Sequence, residues 1–131
     1  MANLGNTLRT NMMSQIATVL GATSRLLIYT GSAPAKTSAP TGTLLATFTL
    51  ASTAGTATAG VFTFTAPGNV TGAASGTPGY ARFIDGTIDD GTHTDIQCSC
   101  GVGSGELNFS STIASGGTVS ITSFTITEGN P

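Results

Sequence analysis

The acidic stretch DGTIDDGTHTD, Asp85 to Asp95, holds the densest group of side chains that could do chemistry. Asp85, Asp89, Asp90 and Asp95 are closely spaced carboxylates, the hard oxygen donors that Ca²⁺ takes. Their order departs from the EF-hand loop, and no bidentate Glu follows at the right distance. The plainer reading is that Asp-Gly pairs form turns and the carboxylates are solvated. Zinc has less to work with, because His93 is the only histidine and no second ligand pair stands at metal spacing.

Cys98 and Cys100 form C-x-C. On a strand both thiols point the same way, a poor geometry for a mutual disulfide. They read as buried thiols behaving as small hydrophobes. The sharper alternative is a cross-link to a partner chain. A catalytic thiol would need a base such as His93 close in space, and no spacing points to one. G-x-S-x-G, H-E-x-x-H and the P-loop are absent from the sequence. Asp89 and Glu106 could be cast as a carboxylate pair, but any two acids would serve that story. No catalytic residue, metal or cofactor is therefore expected, and the chain reads as no enzyme.

Charged residues make up 8% of the chain, against about 25% in an ordinary domain. Thr, Ser, Gly and Ala take their place, so the surface must be largely neutral. Four basic residues, Arg9, Arg25, Lys36 and Arg82, are scattered; phosphate binding needs them clustered. Nucleic acid and anionic membrane surfaces are thus not expected partners. No basic n-region with an apolar h-region stands at Met1, and no apolar run is long enough to span a bilayer. Little charge repulsion favours association, which points to a chain that packs against copies or partners.

These residues must be carried by one domain, with a helix over 1–21 and a β-body over 25–131. Leu4, Leu8, Met12, Ile16 and Leu20 recur at i+4, with Met13 and Val19 widening the stripe. Asn3 or Asn6 is the expected N-cap and Gly21 the C′ residue. The stripe reads as core packing, with docking on a neighbouring subunit as the alternative. Arg25–Thr30 is a strand apolar on both faces, so it lies centrally or beneath the helix. GSAPAKTSAPTG follows as a loop of fixed shape, because Pro34 and Pro40 restrict the backbone. Leu44 to Leu50 alternates as a half-buried strand.

Ala51 to Gly60 reads as a surface loop or weak edge strand. Val61–Thr65, Val70–Ser75, Tyr80–Asp85, Asp95–Val102 and Glu106–Ser110 read as further strands. Ile96, Cys98, Cys100 and Val102 are expected on one face. Thr118 to Thr127 reads as the last strand, yet Val119 and Ile121 stand in one phase while Phe124 and Ile126 stand in the other. A bulge near Thr122-Ser123, or cover on both sides, would reconcile them. One helix before about seven or eight short strands predicts a mainly β chain, a β-sandwich of jelly-roll type.

The segments LLIYTGSAPAKTSAPTGTLLATFTL, GTPGYARFIDGTIDDGT and GGTVSITSFTITEG, behind an N-terminal amphipathic helix, resemble small structural proteins of tailed bacteriophages and prophages. The likeness covers most of the chain from about Arg25 onward. It is made of turn Gly and Pro and alternating apolars, so it speaks to fold before role. Tyr80-Ala81 departs from the Trp-Phe pair often seen before the Arg in such families. The resemblance implies a virion component, assembled in the host cytoplasm, most plainly a capsid decoration (cement) protein. Its implied partners are the major capsid protein or other virion proteins, together with copies of itself. A tail, neck or fibre component, including a host-surface glycan-binding module, is the alternative. With no Trp and two Tyr, an aromatic platform for sugar is thin. The interface residues expected are Leu4, Leu8 and Met12 on the helix and Pro34, Lys36 and Pro40 in the loop Gly31–Gly42.

Overall fold

A computed structural model describes residues 5–19, 24–50, 55–65, 68–85, 91, 94–103, 107–109, 112–121 and 125–127. The chain is mainly β, with one helix, α1 (Asn6–Val19), ahead of ten strands: β1 (Arg25–Thr30), β2 (Leu44–Thr49), β3 (Gly55–Thr58), β4 (Val61–Phe64), β5 (Val70–Thr71), β6 (Pro78–Ile84), β7 (Thr94–Val102), β8 (Leu107–Phe109), β9 (Thr118–Val119) and β10 (Thr125–Thr127). Ten described strands exceed the seven or eight expected, because 51–60, read as a loop or weak edge strand, supplies β3 and the run 118–127 is divided into β9 and β10.

Five strands form the main sheet in the order β2-β1-β6-β7-β8. All its pairings are antiparallel except β7–β8. Parallel neighbours usually need a long crossover. Here only 100–102 and 107–109 pair, a length that the four intervening residues can retrace at about 3.3 Å each. A second sheet runs β10-β4-β3 and a third pairs β5 with β9.

The central position expected for 25–30 holds, and the alternation explains it. Leu26 and Ile28 enter the main core, while Leu27 and Tyr29 join a second cluster on the opposite face. β6 repeats the pattern, with Ala81 and Phe83 in the main core and Tyr80 and Ile84 in the second cluster. The second sheet lays Phe62 and Phe64 on that main core, and the Phe64 ring stacks on Phe83 with centroids 4.6 Å apart. The outer face of the second sheet carries Thr56, Thr63 and Thr125 side by side across three strands, all exposed.

β2 departs from the simple alternation expected of it. Its register against β1 slips between Ile28 and Tyr29, so Leu45 is an extra residue in the ladder. A bulge turns consecutive side chains toward one face, and Leu45 and Ala46 are both buried in the main core. The Leu45 carbonyl accepts from Ala73 N–H at 2.8 Å, which supplies the partner that the disrupted ladder withholds.

The run 118–127 is not one strand. β9 pairs with β5 and β10 pairs with β4, so the chain changes sheets between them. That removes the phase conflict: Val119 and Ile121 fill the main core without sharing a ladder with residues 125–127. The expected bulge site, Thr122-Ser123, lies outside the described residues.

The helix begins at Asn6, with Gly5 at the cap position: its carbonyl accepts the first intrahelical bond, from Arg9 N–H at 3.0 Å. Asn6 is therefore the first helical residue and not the cap; Asn3 and Gly21 lie outside the described residues. Among the described residues, α1 packs chiefly on β3 and β4. Met13 is buried in the main core and Ile16 is packed against it. β3 and β4 are joined by a two-residue turn, since Thr58 pairs with Val61. Ala59 and Gly60 have φ of 50° and 83°, the signature of a type I′ turn. The helix holds this turn: Ala59 N–H donates to Thr10 Oγ1 at 2.9 Å. A Cβ at Gly60 would lie 2.6 Å from an Arg9 guanidinium nitrogen.

Candidate functional site

The most elaborate polar arrangement among the described residues lies on the face of the main sheet opposite the core. Arg82 stands on β6 directly across from Gln97 on β7 and from Leu27 on β1. Alternation sends its side chain to the same side as Tyr80 and Ile84. That side is covered, and Arg82 is fully buried. A buried guanidinium must be hydrogen-bonded or it destabilises strongly. Its Nε–H donates to Gln97 Oε1 at 2.8 Å and an Nη–H donates to the Ala35 carbonyl at 3.2 Å. Its guanidinium carbon stands 6.0 Å from the centroid of the Tyr80 ring, at the outer limit of a cation–π contact.

The cover is the segment 31–43, and it is gripped through its backbone. Gln97 Nε2–H donates to the Pro34 carbonyl at 2.7 Å. The Tyr80 hydroxyl donates to the Thr41 carbonyl at 2.5 Å and accepts from Thr41 N–H at 2.9 Å. Thr30 N–H donates to the Thr43 carbonyl at 3.0 Å, and Thr43 N–H donates to Thr30 Oγ1 at 2.9 Å, which closes the base. At the tip, Ser38 N–H donates to the Ala35 carbonyl at 2.9 Å. The tip sits against Gly91, where a Cβ would collide with the Thr37 carbonyl; Gly91 also has φ of 88°, so only glycine fits without strain. Beneath lie Leu27, Ile84 and the stacked rings of Tyr29 and Tyr80, 5.1 Å apart.

The loop expected to meet another subunit is thus first a strap across its own sheet. Pro34 and Pro40 are half-buried and Lys36 is exposed at the turn. Ser32, Ala33, Thr37, Ser38, Ala39 and Thr41 also face solvent, so the outer surface of the strap is small, uncharged side chains apart from Lys36.

The helix stripe divides. Residues at i+4 drift about 40° per step around a helix with 3.6 residues per turn. Leu8 and Met12 consequently turn away from the buried side on which Met13 sits, and are 50% and 46% exposed. Leu4 and Leu20 lie outside the described residues. Two of the residues expected at an interface, Leu8 and Met12, are therefore a turn apart on the helix's exposed side.

Cys98 and Cys100 are thiols buried in the main core, on the same face of β7. A cross-link to a partner chain has no surface sulfur through which to form. Val102, expected alongside them, is 41% exposed, although its partner across the ladder, Phe109, is buried in the main core. Of the acidic cluster, Asp85 is exposed; Asp89, Asp90 and His93, and the side chain of Asp95, lie outside the described residues. No group of three or more metal-binding side chains occurs among the described residues, and none of their helices is long and apolar enough to cross a membrane.

Sequence reasoning missed the Arg82–Gln97 arrangement. One signal was present: an Arg in phase with Tyr80 and Ile84 on a strand whose other face is Ala81 and Phe83. The partner residue needed the β6–β7 register, which no local pattern carries. Compared with protein-family models, curated proteins and solved structures, the chain matches none.

Proposed function

We propose that the chain is a non-enzymatic structural protein of a bacteriophage virion, decorating and stabilising the capsid by bridging neighbouring capsid subunits. In this reading the β-body is a jelly-roll type of sandwich, and the protein works as a homo-oligomer on the particle with the major capsid protein or other virion proteins as partners. The likeness of Arg25–Leu50, 76–92 and 116–129 to small phage structural proteins supports it. The observation that carries it is the exposed apolar pair Leu8 and Met12 on the helix, together with a strap whose small uncharged side chains flank the single charge of Lys36. Two-fold interfaces between copies are self-complementary, and permanent ones are more hydrophobic than transient ones. Such contacts depend little on ionic strength, because few charges are there to be screened.

The test is direct. The protein is sought in purified capsid fractions, and its gene is deleted. The expected result is co-purification with the shell and lower resistance of the deleted particles to heat and osmotic shock. Unchanged particles, with the protein absent from capsid fractions, overturn the reading. Recovery with tails instead, or binding to a glycan array, favours the tail or fibre alternative.

A further inference from the structure

We infer that residues 31–42 form a strap that opens and closes as a unit, independently of the main core, and that Arg82 and Gln97 are its latch. The argument starts from the two faces of β7. Cys98 and Cys100 belong to the main core, while Gln97 holds the strap on the other side. The cluster beneath the strap, Leu27, Tyr29, Tyr80 and Ile84, is separate from the main core. Among the described residues, lifting the strap therefore uncovers the second cluster and leaves the main core packed.

Among the described residues, the bonds that lifting the strap breaks include those that hold its backbone to the sheet. Its backbone is held by side chains of the sheet, through Pro34, Ala35 and Thr41. Each such bond is modest, because water takes its place on opening. Most of its own side chains already face solvent, so they give up little burial. Arg82 gains hydration on opening, which offsets part of the lost bonding. Opposing this, the rings of Tyr29 and Tyr80 lose their cover. A segment with few apolar contacts and exposed side chains sits at the low end of the local-unfolding scale. When open, the strap uncovers an apolar aromatic face edged by three side-chain donors: the Tyr80 hydroxyl, Gln97 and Arg82.

Lys36 makes the motion measurable. Its side chain is exposed at the strap turn. A protease must draw several residues on either side of the cut into its cleft, however, and the backbone at Pro34, Ala35 and Thr41 is held to the sheet. Trypsin cleavage after Lys36 in the folded full-length chain therefore reports opening of the strap. Labelling of the buried Cys98 and Cys100 reports opening of the core. The Gln97→Ala variant should speed Lys36 cleavage roughly 5- to 30-fold, the effect of losing one or two net hydrogen bonds. The Ile28→Val variant weakens the main core alone. It should speed thiol labelling roughly 2- to 12-fold and leave Lys36 cleavage unchanged. If Ile28→Val speeds both by the same factor, the strap opens only with global unfolding and the inference fails. If Gln97→Ala leaves Lys36 cleavage unchanged, Gln97 is no latch and the assignment fails.

Discussion

Ala59 occupies a backbone conformation that L-residues enter at a penalty of about 1–2 kcal/mol, with φ of 50°. Two things hold it there: the type I′ geometry required by a two-residue connection, and the hydrogen bond from its amide to Thr10. Asn enters this region more readily, and Asn-Gly is the preferred type I′ pair. Ala59→Asn should therefore stabilise the protein by about 0.5–1 kcal/mol, seen as a higher urea midpoint with an unchanged slope. A lower midpoint would mean that the alanine methyl contributes more packing than the strain it carries. The turn itself was not legible in the sequence, because Ala-Gly is no strong hairpin signal and the stretch 51–60 looked uniformly small. Arg82 was likewise counted as one scattered base. Its burial depends on a loop more than 40 residues earlier in the chain, and composition does not carry that distance.

The elements were legible wherever one period ran undisturbed. The helix, the two-faced β1 and the alternating β6 all follow from the pattern of apolar residues. Failures came where an element was interrupted. The bulge at Leu45 leaves no mark in the sequence, because LLATFTL reads as a regular strand in either register. The phase break in 118–127 was visible, but its cause, a change of sheet, was not. In the helix, the i+4 spacing was read as one stripe although its drift divides it. That division gives a sharp contrast between neighbours. Met13→Ala should destabilise by about 2–4 kcal/mol, the range for a buried Met truncation. Met12→Ala should change stability by less than about 0.5 kcal/mol. Denaturant unfolding of the two variants measures both. Equal losses would show that α1 packs through a different face from the one described here.

At the scale of the molecule, both thiols lie inside the main core, so thiol–disulfide chemistry is slow in the folded protein. The native chain should label slowly with a thiol reagent and rapidly in denaturant, with no disulfide-linked dimer on a non-reducing gel. Fast native labelling of both sulfurs would contradict their burial. The overall class, mainly β behind one helix, was available from turn residues and alternation alone. What those signals lacked was the second face of the main sheet. The strap that covers it is made of Pro, Ala, Ser and Thr, which look like an ordinary surface loop until the side chains holding it are known.

The change of sheet between β9 and β10 has a mechanical side. One short stretch of chain is stitched into two separate sheets, with β10 at the edge of its own. Tension arriving from the C-terminal end meets the three-residue β10 ladder first and can peel it from β4. β9 and the main core then still stand behind it. The first pairing such a load would test is therefore the three-residue one between β10 and β4, and not the five-stranded sheet.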